Sequence, residues 1–407
     1  MSQALSIIVP THNRRDALLQ HLAIIGEQIA GIPETEILVV ADSCGDGTEA
    51  AVERWATVSG LDLRVLSHGA RNASATRNLG AQVARGQTLL FVDDDIEPLP
   101  GFVRAHFDAR REGLAVLGYS KPVYPSPLSL WQKEARLWWL DVFREMSEPG
   151  YRFSYRNFFS GNVSLPRALF DKAGGFNEKL ARLEDYEFGL RWLKAGGQFR
   201  YSPEACGLHR ETTNLKQWLK RIRMEGEADV STGEAHPETR PHLWSSARSA
   251  NAVSAVLREL AFRFPKKGDG LAALVATAAE SVSRIGLRTL SRKLARTARD
   301  YQYLRGIALR KNSREFAAWL QDGPPPGAIE CDAPTLDMGR IPEDPGRILR
   351  LGSEKGLQIV YNGISVRTVP PATGSEPIRM DHVREWSHAD LSGIFMPQPP
   401  SDPVQHG

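Results

Sequence analysis

The chain has 407 residues, which is enough for two or three domains of ordinary size. Its 42% hydrophobic and 24% charged residues suit a folded globular protein, and a net charge of only +3 argues against a nucleic-acid binder. The three cysteines are scattered, which predicts neither a zinc site nor a disulfide framework. The sequence has no apolar run of about 18 residues, so we expect no transmembrane helix, and it has no basic leader, so we expect no signal peptide. We therefore expect a cytoplasmic chain.

The first hundred residues alternate short apolar runs with helical stretches. The predicted strands are Leu5–Pro10, Glu36–Asp42, Leu63–Ser67 and Thr88–Val92, and the predicted helices are Arg14–Ile29, Thr48–Ser59 and Ala73–Ala84. This alternation is typical of an α/β fold, with a mostly parallel sheet that helices cover on both faces. Such sheets bind ligands beyond the carboxyl ends of their strands, where Thr11, Asp42 and Asp93 lie in this sequence.

The rest of the sequence completes a first domain and predicts three further regions after it. The first domain is predicted over residues 1–240. Its second half contains the predicted strands Leu114–Tyr124, Asn157–Leu165 and Phe199–Ser202 and the predicted helices Leu130–Met146, Glu184–Ala195 and Thr213–Val230. A helical extension is predicted over residues 241–322, with a proline-rich linker at 323–327. Strands Leu357–Tyr361 and Ile364–Val369, joined by the turn pair Asn362-Gly363, predict a small β-rich module over 328–396, before a disordered tail at 397–407.

Charge is distributed unevenly over the second half of the chain. Residues 244–320 contain 15 Lys and Arg against 5 Asp and Glu, whereas residues 321–407 contain 7 against 12. The basic region could fold against the acidic tail, and two further interpretations remain open. The basic helices would suit an anionic membrane surface, which would place the protein at the periphery of the inner face of the membrane. Alternatively, they form a solvated extension that covers the first domain.

Three consecutive carboxylates, Asp93-Asp94-Asp95, follow the apolar strand Thr88–Val92. They repel one another unless a cation neutralises them, and Mg²⁺ and Mn²⁺ prefer oxygen ligands. Because residues i and i+2 of an extended segment point the same way, Asp93 and Asp95 would share one ligand face. A polar turn without a metal accounts equally well for the triplet alone.

Further candidates lie in the first domain. A carboxylate of Glu184-Asp185 would suit proton abstraction from a hydroxyl, and His209 would suit a metal through a neutral ring nitrogen. Arg71 precedes the third helix and Arg77 lies within its first turns, and both would pair with phosphates through their forked guanidinium groups. For each residue alone a structural role is the simpler interpretation.

The order and spacing of several short motifs carry more information than any one of them. The series is I-V-P-T-x-N (Ile8 to Asn13), V-V-x-D (Val39 to Asp42), D-G-T (Asp46 to Thr48), R-N-x-G (Arg77 to Gly80), F-V-D-D-D (Phe91 to Asp95), Gly161-Asn162, G-G-F (Gly174 to Phe176) and E-D (Glu184-Asp185). Over roughly residues 4–230 it resembles the inverting family 2 glycosyltransferases of the GT-A fold. One departure is Ala41-Asp42, where that family often has two acids.

The resemblance implies that the chain transfers a sugar from a nucleotide-diphosphate donor to an acceptor hydroxyl with inversion. It implies a UDP-sugar as the default donor, a glycan or lipid-linked acceptor, and Mg²⁺ or Mn²⁺ as cofactor. Thr11 and Asp42 match positions that contact the nucleoside, and Arg71 and Arg77 lie near or among the residues expected to bind base or phosphate.

The resemblance also assigns the acidic residues. Asp93 and Asp95 match the D-x-D pattern that contacts ribose and metal-bound diphosphate, and Asp94 joins the nucleotide-binding candidates. Asp185 matches the catalytic base, and His209 looks like the additional metal ligand of many relatives.

Two rival functions follow from the same architecture. A nucleotidyltransferase would carry a Gly-rich phosphate loop after its first strand, whereas this chain has Pro10-Thr-His-Asn13 there. A nucleotide- or glycan-binding protein on a catalytically inactive transferase scaffold remains open, although the retained acids Asp93, Asp95 and Asp185 argue against it.

Overall fold

The structure is a computed structural model that describes residues 4–32, 34–124, 126–210, 213–322, 333–338, 344–361 and 364–395, and for residues 364 and 388–395 the backbone alone. The predicted turn Asn362-Gly363, the linker at 323–327 and the tail at 397–407 lie outside these residues. Contacts divide the chain into two compact units. The first contains residues 1–144 and 155–324, and the second contains residues 145–154 with those from 325 onward.

The first unit contains eight strands and thirteen helices among its described residues. The strands are β1 (Leu5–Thr11), β2 (Thr35–Asp42), β3 (Leu63–His68), β4 (Thr88–Val92), β5 (Ile96–Pro98), β6 (Leu114–Val123), β7 (Asn162–Pro166) and β8 (Gln198–Arg210). The helices are α1 (Arg15–Ile29), α2 (Thr48–Ser59), α3 (Ala73–Val83), α4 (Phe102–Ala109), α5 (Leu130–Met146), α6 (Arg167–Ala173), α7 (Glu184–Lys194), α8 (Leu215–Ala235), α9 (Ser245–Arg248), α10 (Ala252–Arg263), α11 (Pro265–Arg284), α12 (Arg288–Arg310) and α13 (Ser313–Gln321).

The eight strands form one mixed sheet in the order β3-β2-β1-β4-β7-β6-β8-β5. Strands β1 to β4 are parallel, as is the pair β6 and β8, whereas β7 runs antiparallel to both of its neighbours and β5 runs antiparallel to β8. The predicted α/β fold is confirmed. The antiparallel strands were not predicted, because a strand buried on both faces has the same apolar pattern in either direction.

Two predicted strands have different bounds in the structure. The segment Asn157–Leu165 divides into a short 3-10 turn at Tyr155–Asn157 and strand β7. The short strand Phe199–Ser202 extends to His209 and beyond, as β8. This extension pairs His209 with Ile96 of β5, directly after the aspartate cluster.

Apolar side chains of β1, β2 and β4 form the centre of the first core. Ile7, Val39 and Leu90 are fully buried and pack with Leu22 and Ile25 of α1. At about 25 cal/mol per Å² of apolar surface, such side chains contribute ~1.5–3 kcal/mol each. The core therefore fixes the carboxyl ends of these strands firmly.

Helices α8 to α13 follow the sheet and form a second core within the same unit. Helices α8 and α12 cross at Gly226 and Gly306, where a Cβ on either glycine would collide with backbone of the other helix. Near this crossing Tyr303 stacks on Trp244 with a ring-centroid distance of 4.4 Å. Among the described residues, every helix is too short or too polar to cross a membrane.

The second unit has a three-stranded sheet in the order β11-β10-β9, formed by β9 (Thr335–Asp337), β10 (Leu357–Tyr361) and β11 (Ile364–Val369). Helices α14 (Pro345–Lys355) and α15 (Met380–Phe395) accompany it, so the module is mixed rather than purely β-rich. The inserted segment 145–154 belongs to this unit: Trp386 Nε1 donates to the carbonyl of Gly150, and Arg152 Nε to that of Glu376.

Candidate active site

Three predicted site positions share the carboxyl edge of the parallel strands. Thr11 ends β1, Asp42 ends β2, and Asp93 follows β4. Because β1 pairs in parallel with both β2 and β4, these ends lie side by side. The sheet therefore brings together residues that are far apart in sequence.

The Asp42 carboxylate holds the turn that precedes α3. It accepts hydrogen bonds from the backbone N–H groups of Arg71 and Asn72, at 2.9 and 2.8 Å, and from the hydroxyls of Ser43 and Thr76. Burial favours the neutral acid, but these hydrogen bonds outweigh it, led by those from Arg71 and Asn72, and lower the pKa of Asp42. Asp42 thus remains ionised and fixes the exposed Arg71 in a left-handed backbone conformation, with φ 51°.

Asp94 points back toward β1. Its carboxylate accepts from the Thr11 hydroxyl at 2.7 Å and pairs with Arg14 at 3.1 Å. Burial raises the pKa of Asp94 to about 6, against the opposing hydrogen bond from Thr11 and the charge of Arg14. The structure thus joins the predicted residues Thr11 and Asp94 to Arg14, which in the sequence is only the first residue of a predicted helix.

Arg77 links the aspartate cluster to helix α7. Its guanidinium is buried, and it bonds Asp93 at 2.7 Å and Glu184 at 3.3 Å. Burial opposes the charge, but the two carboxylates outweigh it and raise the pKa of Arg77. The predicted phosphate-binding residue therefore holds two acidic groups together. Asp93 also requires Gly161, because a Cβ there would lie 2.6 Å from its carboxylate.

Asp185 is the second residue of α7, next to the Glu184 that Arg77 binds. The backbone N–H of Tyr186 donates to its carboxylate at 2.9 Å. Burial, and then the neighbouring Glu184 charge, raise the pKa of Asp185 to about 7, against the attraction of Arg182 and Arg77. This carboxylate can accept a proton near neutral pH.

The predicted metal group is only partly assembled. His209 Nε2 lies 4.0 Å from Asp95 Oδ1, whereas Asp93 bonds Arg77 instead. Across the described ranges, no set of three or more His, Cys, Asp and Glu side chains is close enough to hold a metal ion. Because Asp93 pairs with the buried Arg77, the assignment of Asp93, Asp95 and His209 to one metal site stays a prediction.

Asp95 and His209 nonetheless suit a cation that has further ligands. The two atoms are within the span that one ion could bridge after a small movement, and His209 Nδ1 is buried with no hydrogen-bond partner in the described part of the chain. The Trp139 ring packs edge-on against the imidazole, with a centroid distance of 5.8 Å. Mg²⁺ is often held by one or two protein groups together with substrate phosphates.

The chain is similar to known glycosyltransferases over its first half. Residues 6–176 match the family model described as Glycosyl transferase family 2, and residues 140–214 match the one described as N-terminal domain of galactosyltransferase. The chain is 26% identical over 239 residues to chondroitin synthase from Escherichia coli, a match that covers 51% of this chain and 34% of that protein.

Two further proteins are similar. The pre-mycofactocin glycosyltransferase of Mycobacterium tuberculosis is 24% identical over 249 residues, which cover 57% of this chain and 48% of that protein. A solved structure, the mannosyltransferase PcManGT from Pyrobaculum calidifontis in complex with GDP-Man and Mn²⁺, has a TM-score of 0.48 and 17% identity, covering 76% of this chain and 88% of that one.

The chain spans about a third to a half of the length of the two curated relatives named above. The matched family region runs from β1 to the residues just before α7, and so includes the carboxyl edge with Thr11, Asp42 and Asp93. Residues 6–176 of this chain belong to glycosyl transferase family 2.

Proposed function

We propose that the chain transfers a sugar from a nucleoside-diphosphate donor to an acceptor hydroxyl, with inversion at the anomeric carbon. The observation that carries this proposal is the bridge through Arg77, which bonds Asp93 after β4 and Glu184 at the start of α7. The bridge brings the carboxyl edge of the sheet and the Glu184-Asp185 pair into one site. A donor at that edge would thus lie beside a carboxylate that can accept a proton.

Asp185 is the proposed general base. Its pKa of about 7 leaves a large fraction ionised at neutral pH while keeping the carboxylate basic enough to accept a proton. As the acceptor oxygen bonds to the anomeric carbon, its proton passes to Asp185. The bond from that carbon to the diphosphate breaks on the opposite face, so the configuration inverts.

The nucleoside is proposed to lie along Thr11, Asp94 and the turn that Asp42 fixes, with the exposed Arg71 beside it. Arg77 is proposed to act indirectly, because its guanidinium is buried between carboxylates. A UDP-sugar is the default donor and a glycan or lipid-linked molecule the acceptor, both as the family resemblance implies.

We propose that Mg²⁺ or Mn²⁺ is held by Asp95 and His209 together with donor phosphates. A divalent ion there would neutralise the negative charge that develops on the departing diphosphate. Asp93 contributes by anchoring Arg77, which keeps the aspartate segment in place.

The decisive experiment compares wild type with Asp185→Asn in a transfer assay over a panel of nucleotide sugars. We expect transfer to fall by ~10²–10⁴-fold, the usual contribution of a general base, while nucleotide affinity is retained. Asp108→Asn, an exposed aspartate of α4, is the matched control. Undiminished transfer by Asp185→Asn would refute the assignment. A protein that binds nucleotide but never releases nucleoside diphosphate would be the inactive binding scaffold instead.

Metal dependence is tested by chelation. We expect EDTA to abolish transfer and Mg²⁺ or Mn²⁺ to restore it, with Asp95→Asn and His209→Ala each requiring more metal for half-maximal activity. Asp108→Asn again serves as control. Full activity in EDTA would contradict the metal proposal and leave the base assignment intact.

A further inference from the structure

The turn between α11 and α12 exposes a run of seven consecutive residues, 284–290, which we call the hairpin tip. It contains three large aliphatic side chains: Ile285 is 72% exposed, Leu287 52% and Leu290 46%. Scattered exposed aliphatic residues are normal, but a group at one projecting turn marks a contact surface.

The hairpin tip is surrounded by positive charge. Residues 284–296 contain Arg284, Arg288, Arg292, Lys293 and Arg296 and no acidic residue. Four of these, with Thr289, line an open cleft of about 280 Å³ that begins within the tip and continues along α12. Arg284, Arg292 and Arg296 pair with acidic residues outside this segment, whereas for Arg288 and Lys293 the structure records no ion pair among the described residues. Exposed aliphatic side chains and cations thus lie within one short segment of the chain.

The helices that carry the tip are firmly packed. Ala276 and Ala279 of α11 meet Ala295 and Ala298 of α12, and all four are buried with Trp131 of α5. Small side chains let the two helices approach closely, so the hairpin is a rigid element. The exposure of Ile285 and Leu287 is therefore a property of an ordered surface.

We propose that the hairpin tip docks on an anionic lipid bilayer. The aliphatic side chains would enter the boundary between headgroups and acyl chains, and the basic cleft would hold lipid phosphates. A second copy of the chain is a poorer occupant, because two such tips would bring like charges together. Nucleic acid would satisfy the cations but give the aliphatic residues no apolar environment.

This docking is independent of the proposed transfer reaction, since it rests on residues outside the candidate active site. It is tested by sedimentation of the full chain with vesicles of phosphatidylcholine alone, or with about 30% phosphatidylglycerol. We expect binding to the anionic vesicles only, and weaker binding as salt is raised, because salt screens exposed charges.

Two double variants separate the two parts of the surface. Ile285→Asp with Leu287→Asp removes the aliphatic contact, and Arg288→Glu with Lys293→Glu reverses two charges; each should weaken vesicle binding at least about tenfold. The matched controls are Val58→Asp, at a valine that is 82% exposed, and Arg54→Glu, both on α2. The controls should bind as wild type. Circular dichroism and thermal melting should show all variants folded, because the changed residues are exposed.

Several outcomes would overturn the proposal. These are equal binding to neutral and anionic vesicles, wild-type binding by either double variant, or tip-dependent self-association without vesicles. Tight binding of RNA without vesicle binding would assign the surface to nucleic acid. Loss of vesicle binding in millimolar inorganic phosphate at constant ionic strength would indicate a site for free phosphate.

Discussion

Two carboxylates near opposite ends of the main sheet are held in opposite ways. At the amino end, Glu36 is fully buried and accepts from the Ser6 hydroxyl, the backbone N–H of Arg85 and the guanidinium of Arg64. Burial favours its neutral form, but these donors outweigh burial and lower the pKa of Glu36. At the carboxyl end, Asp185 faces the like charge of Glu184, and its pKa rises to about 7.

The contrast separates a carboxylate that stabilises the fold from one that can act as a base. Donors around Glu36 match its negative charge, so giving up that charge would destabilise the protein. In the described part of the chain, the recorded donor to the Asp185 carboxylate is the Tyr186 N–H, so the ionised form is held at a cost in stability. A carboxylate whose pKa is raised by burial and by a like charge is expected at a functional site.

Removing the Arg77 guanidinium, which lies between Asp93 and Glu184, should have the largest effect on stability. Arg77→Met leaves Asp93 and Glu184 without their shared partner, and we expect the free energy of unfolding to fall by about 3 kcal/mol, with loss of transfer. Urea denaturation measures the change. Arg104→Met removes an exposed pair with Asp108 and should cost under ~1 kcal/mol. Equal stability of the two variants would show that the bridge through Arg77 is unimportant.

Matched amide substitutions at the two ends sharpen the comparison. Glu36→Gln should lower the free energy of unfolding by about 2–3 kcal/mol, because an amide N–H₂ then faces donors, while activity per folded molecule is unchanged. Asp185→Asn should not lower stability at pH 8, because it removes a strained charge. Thermal melting and denaturant titration measure both. A larger loss for Asp185→Asn than for Glu36→Gln would reverse the assignment of the two ends.

The dependence of stability on pH differs in sign between the two carboxylates. Since the folded-state pKa of Asp185 is raised to about 7, transfer should fall about tenfold per unit below that pH. The stability cost of its charge is present above pH 7 and disappears as pH falls toward 4, so Asp185→Asn and wild type should converge in stability at low pH.

Glu36 behaves in the opposite way in the same titration. Its folded-state pKa is lowered, so the stabilisation that ionised Glu36 gives the fold is present above about pH 4.3 and is lost as pH falls through the lowered value.

A transfer rate that is constant from pH 5 to pH 8 would contradict the raised pKa of Asp185.

Local pattern was sufficient to predict much of the fold. The strands from Leu5 to Val92 and the helices between them agree with the structure to within about two residues, because apolar periodicity and glycine turns act locally. The antiparallel strand β7 and the insertion of residues 145–154 into the second unit depend on contacts between distant segments. No local pattern carries that information.

The residues of the candidate site also divide into those that local motifs predict and those that depend on contacts between distant segments. Motif spacing singled out Thr11, Asp42, Asp93 and Asp185, which stay predictions as functional residues. The pairing of Arg77 with Glu184 joins residues 107 positions apart, and the contacts of Arg14 with the aspartate cluster also span much of the domain. Arg14 differs in no visible way from other basic residues near a helix start, so only the structure could identify it.

The inserted segment 145–154 has a consequence for how the chain matures during synthesis. The bond between Gly150 and Trp386 joins residues 236 positions apart. At ribosomal speeds of about 5–20 residues per second, the segment waits on the order of tens of seconds for its partner to emerge. During that interval Phe153 and its neighbours lack the groups that cover them in the finished protein, so the nascent chain exposes apolar surface that chaperones would recognise.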